Sequence, residues 1–136
     1  MRRAVPFALC LTLAPLPLGC GSGAETPRDE LLPGTTLTIA SADGAATGHV
    51  SAEGGRIVEG QNTILVDFEP STTELVTVSA LMPVHGHGIV PPSVSRTATG
   101  YRVGNVIFSM SGLWDVFLDV RVSDTTDRIE FTVDVP

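Results

Sequence analysis

The sequence has no lysine, only two cysteines, one tryptophan and one tyrosine. Each shortage excludes something. Eight arginines are the whole cationic complement, against fifteen acids. A basic footprint for nucleic acid or for direct adsorption on anionic lipid is therefore missing. The acidic balance makes a soluble cation the easier ligand to attract. No stretch keeps a sustained helical period, which argues against a helical body. There is no Gly-x-Ser-x-Gly elbow and no phosphate-cradling glycine loop, so a non-enzymatic protein is expected. The only long apolar run, Ala4 to Leu18, is too short and too interrupted by Pro6, Pro15 and Pro17 to span a membrane comfortably.

That run follows Arg2 and Arg3, which gives it the layout of a signal peptide. It ends in Leu16-Pro17-Leu18-Gly19-Cys20, which resembles a bacterial lipobox except for Pro17, where leucine is usual. The resemblance implies cleavage after Gly19, lipidation of Cys20 and a periplasmic or outer-surface protein anchored to its membrane by lipid. An ordinary signal peptide cut further on is the alternative. Cys10 leaves with the leader, so no internal disulfide can form and the fold must rest on its own core. Arg2 and Arg3 leave as well, and the −7 of the whole chain becomes −9. The organisation expected is a signal peptide over 1–19, a lipidated cysteine and flexible tether over 20–34, and one domain over 35–136, with order beginning near Thr35.

Within that domain the chemistry-poor part is the more regular. Leu37 and Ile39 alternate with threonines. Asp43-Gly44 is a turn signal, a poor strand surrounds His49-Val50, Gly54-Gly55 is a turn and Ile57-Val58 a short segment. Ile64, Val66 and Phe68 share one strand face, and Val76, Val78, Ala80 and Met82 share the next. Pro83 has no ladder donor and should end that strand. A loop runs to Pro91-Pro92, and a short polar strand covers Val94 to Ala98. From Tyr101 to Met110 the inward parity changes, which predicts a bulge at Gly104-Asn105. Trp114, Val116, Leu118, Val120 and Val122 face one way. Ile129, Phe131, Val133 and Val135 do likewise after the connection Asp124-Thr125-Thr126-Asp127. Short strands at roughly ten-residue spacing with one apolar face each predict an all-β, antiparallel β-sandwich, with an up-and-down barrel as the competitor.

Gly60-Gln61-Asn62, Met82-Pro83-Val84-His85, Gly100-Tyr101 and Met110-Ser111-Gly112-Leu113-Trp114 occur in that order. The order resembles the YtkA-like domain family, related to FixH-like proteins, over about half the chain. The resemblance implies an immunoglobulin-like β-sandwich of about seven strands, outside a bacterial membrane and often lipid-anchored. It also implies a role in copper handling, with a copper-receiving or other envelope protein as partner.

The residues themselves support a related reading. His85-Gly86-His87 is a His-x-His, which in extended backbone places both imidazoles on one face with Cα atoms about 6.5–7 Å apart. Met82 precedes it by three residues, and Met110 ends another strand. Two imidazoles with a thioether suit copper, and added thioethers favour Cu(I). Uptake would fall in acid, below about pH 6.5, where imidazoles protonate. The expected metal ligands are thus His85, His87, Met82 and Met110. The competing reading makes the loop a solvated turn, the methionines core packing, and the domain a non-metal interaction module. Trp114 and Tyr101 are expected in the core, His49 exposed, and Phe117 either under a loop or on a partner surface.

Overall fold

Period-two alternation becomes strand almost throughout the computed structural model, which describes residues 29–136. The leader, the lipobox and Cys20 lie outside the described residues. Ten strands form: β1 (Glu30–Leu31), β2 (Thr36–Ala40), β3 (Thr47–Ala52), β4 (Gly60–Glu69), β5 (Glu74–Met82), β6 (His87–Gly88), β7 (Ser93–Arg96), β8 (Gly100–Phe108), β9 (Gly112–Val122) and β10 (Thr125–Val135). They make two five-stranded sheets, ordered β1-β10-β9-β5-β6 and β2-β3-β4-β8-β7. All pairings are antiparallel except β1 with β10. The chain changes sheet four times, after β1, β4, β6 and β8. It is a β-sandwich, and the barrel is excluded by the two separate sheets.

The apolar faces meet between the sheets. Ile64, Val66 and Phe68 of β4 and Val103, Val106 and Phe108 of β8 face Trp114, Val116, Leu118 and Val120 of β9 and Ile129, Phe131 and Val133 of β10, all buried. Trp114 is fully buried; its indole Nε1–H donates to the Met110 carbonyl at 3.0 Å, and its ring packs on Phe108 with centroids 5.3 Å apart. Tyr101 is buried as well, its hydroxyl donating to the Thr73 carbonyl and accepting from Arg96.

The expected bulge in β8 is present. Asn62 pairs with Val106 and Ile64 with Val103, so Gly104 and Asn105 together oppose Thr63, and Asn105 adopts φ 58°. A second bulge corrects the reading of β5. Val76 is the extra residue between Leu75 and Thr77, is 40% exposed, and leaves Leu75 to fill the core in its place. Ile57-Val58 is not a strand: Ile57 is buried, and the Val58 amide and carbonyl are held by the Asn62 side chain. The last connection is tighter than expected, because Thr125 already pairs with Val122. Order also starts before Thr35. Glu30 and Leu31 are in register with Thr132 and Val133, and Leu31 is fully buried. Burying that one leucine is reason enough for the chain to pair there.

On the outer face, Asp119 accepts from Arg128 at 2.7 Å and from Thr77 at 2.6 Å. Hydrogen bonding from Arg128 first, then from Thr77, holds its carboxyl below the usual aspartate range. The folded pKa is depressed, so this contribution is complete above the ordinary aspartate range and is lost as pH falls through the lowered value. Asp119→Asn should therefore cost at most about 1 kcal/mol at neutral pH, and should make stability fall less steeply just below the ordinary carboxylate range. Urea denaturation at a series of pH values checks both. Phe117 is half-buried, and the Arg128 guanidinium lies 5.4 Å from its ring centroid.

Candidate functional site

Pro83 ends β5 as its missing amide requires. The chain then reverses. The amides of His85 and Gly86 both donate to the Met82 carbonyl, at 3.3 and 2.8 Å, and Gly86 takes φ +65°. A side chain at Gly86 would strain that left-handed conformation. His87 and Gly88 return as β6, pairing with Met82 and Leu81, and the Ile89 amide donates to the Ala80 carbonyl. The backbone between the two histidines is thus a turn entering a strand and not the extended segment expected from the spacing alone. A hairpin tip at a sheet edge carries the pair.

Both histidines are exposed. Their rings contact each other, with centroids 6.1 Å apart and planes at 86°. Among the described residues neither ring has a hydrogen bond or an ion pair. Metal–nitrogen bonds of about 2.0 Å put two imidazoles on one metal with centroids no more than roughly 6.4 Å apart. The observed separation lies just inside that limit, which is reached when the two nitrogens stand on opposite sides of the ion.

Met82 is only 3% exposed. It stands directly opposite His87 in the β5–β6 ladder, a relation that sends both side chains to one face. The far end of its side chain lies toward the start of β9, where a Cβ on Gly112 would stand 3.5 Å from Met82 Cε. Met110, half-buried, belongs to the connection just before Gly112. The fold therefore gathers Met82, His85, His87 and Met110 at one end of the sandwich. His49 is left out: it is exposed on β3 in the other sheet, its Nδ1 3.4 Å from the Thr38 hydroxyl.

Two features of this end escaped the sequence reading. One is the Met82–His87 register, which no local pattern announces. The other is an apolar rim: Val84 is 83% exposed, Val90 70%, Leu113 53% and Leu81 38%. The two segments that carry the rim are uncharged, for no Asp, Glu, Lys or Arg occurs between Glu74 and Arg96 or between Arg102 and Asp115, but Asp115 stands across from Leu81 and Asp134 across from Leu113. That second signal was available in the sequence as a pair of uncharged stretches in an otherwise acidic chain.

Elsewhere, a cleft lined by Glu53, Arg56, Gln61, Asn62 and Thr63 is polar and open. Glu53 is engaged by Arg102 through two 2.8 Å bonds, which lower its carboxyl pKa. The Asn62 side-chain amide is satisfied locally: its Oδ1 accepts from the Val58 amide and its Nδ2 donates to the Val58 and Gly60 carbonyls. Among the described residues no group of three or more His, Cys, Asp or Glu side chains is placed to hold a metal. No known protein family, curated protein or solved structure matches the chain.

Proposed function

We propose that the domain is an exported, YtkA-like, immunoglobulin-like lipoprotein module, anchored through Cys20, that binds copper at the β5–β6 hairpin and passes it to an envelope partner. The observation that carries this reading is the exposed, unpartnered imidazole pair of His85 and His87 at 6.1 Å. Imidazole with thioether is the donor set copper takes readily, and zinc more often adds thiolate or carboxylate. Met82 and Met110 are the thioether candidates. The acidic net charge favours approach of a cation.

The test is a competition titration of the leaderless chain with Cu(I) and Cu(II). Affinity should fall by at least about 100-fold in a His85→Ala, His87→Ala variant, since removing both imidazoles leaves only thioethers. Equal affinity in the variant removes the proposal. The second reading, a non-metal interaction module, draws on the exposed Val84 and Val90. It is favoured if the wild-type chain binds neither copper ion and an envelope protein is retained through that rim.

A further inference from the structure

We propose that the solvent face of the sheet ordered β1-β10-β9-β5-β6, in the half next to the hairpin, docks a protein partner that presents lysine or arginine among apolar side chains. The inference rests on the reading of this end as the place where the chain meets an envelope partner, and adds that partner's chemistry. Directly opposed residues of antiparallel strands share a face, so the pairing lays this one out. Leu113 lies beside Asp134, Leu81 beside Asp115, and Ser79 and Glu130 flank Phe117. β1 adds Glu30, exposed next to Thr132. Leu113 is 53% exposed and Leu81 38%, and past Leu81 the hairpin tip exposes Val84.

Charge is divided along this face. Away from the hairpin, Arg128 is bonded to Asp119 at 2.7 Å and Arg121 to Glu74 at 3.2 Å. Arg128, over the Phe117 ring, marks the boundary. On the hairpin side, Glu30, Glu130 and Asp134 make no side-chain hydrogen bond or ion pair among the described residues. Apolar surface set among such acids rules out the other coverings. Anionic lipid, nucleic acid and a second copy would each bring like charge to it. A compact metal ion needs its ligands gathered at one point, and among the described residues no three acids or histidines are so gathered. A partner with cations spread between apolar side chains matches both features at once. It would take Leu81 and Leu113 out of water and pair Glu130 and Asp134.

Calorimetric titration and amide NMR shifts on the leaderless chain test the idea with synthetic peptides: one of lysine and leucine, one with glutamate for lysine, and one with serine for leucine. The lysine–leucine peptide should bind and shift the amides of Leu81, Leu113, Glu130 and Asp134. The glutamate peptide should not bind, and the serine peptide should bind at least about tenfold more weakly. Glu130→Gln with Asp134→Asn should weaken the first peptide at least about threefold. Glu69→Gln with Asp124→Asn removes the same charge elsewhere and should leave its affinity unchanged. No binding of the first peptide, equal binding of the glutamate peptide, or equal loss in both variants overturns the proposal, the last by showing attraction to net charge alone. A dimer in sedimentation velocity that covers those amides assigns the face to a second copy and overturns it too. Copper titration of the Glu130→Gln, Asp134→Asn variant should match the wild type. If copper binds and the peptide does not, only the docking face falls; if neither binds, the copper reading falls with it.

Discussion

Trp114→Ala is expected to cost about 3–5 kcal/mol and to leave little folded protein at growth temperature. The side chain is fully buried at the point where β9 crosses the end of β8. Its removal deletes the contact with Phe108 and orphans the Met110 carbonyl, which now accepts the indole N–H at 3.0 Å. The Met82 side chain borders the same region beside Gly112, so the cavity would open beneath the hairpin. A domain of this size has only about 5–15 kcal/mol of stability. Urea denaturation should show the loss, and Trp114→Phe should recover part of it. An unchanged melting temperature in Trp114→Ala would contradict the core assignment.

The next largest effect is expected at Gly100, where alanine should destabilise by about 1–3 kcal/mol as an overpacked site. Gly100 pairs with Asp67 across β4 and β8, and a Cβ there would run into the Val66 carbonyl. The obstruction is backbone in a central strand, which cannot rotate away as a side chain could. Gly48, on the other flank of β4, meets the Asp67 carbonyl in the same way. The two substitutions press on one strand segment, so their combined cost should depart from the sum of the single costs. Denaturation of both single variants and the double variant measures it. A Gly100→Ala protein as stable as the wild type would mean that β4 and β8 are not seated as described.

How much was legible before the structure depends on whether one residue could decide a face. From Trp114 to Val122 in β9 and from Ile129 to Val135 in β10 each inward position is apolar and most outward ones polar, so the alternation leaves one register. The bulge at Gly104-Asn105 was legible because inward parity changes across it. The bulge at Val76 was not, because Leu75 and Val76 are both apolar and either could face inward; pairing with β9 decides between them. β1 and β6 are two residues each. Their formation depends on β10 and β5, and no local pattern carries that information. Of the hairpin, the residue types were legible and the turn at Pro83 followed from chemistry. The meeting of the two rings and the Met82–His87 register depend on where the chain comes back, which is a tertiary matter.

The central claim is that the imidazoles at the hairpin tip hold copper. X-ray absorption at the copper edge of the Cu(I)-loaded, leaderless chain addresses it directly. The account predicts imidazole scattering from two rings together with a sulfur neighbour, and loss of the imidazole signal when His85 and His87 are both alanine. A spectrum without imidazole scattering, or one unchanged by the double substitution, would contradict it.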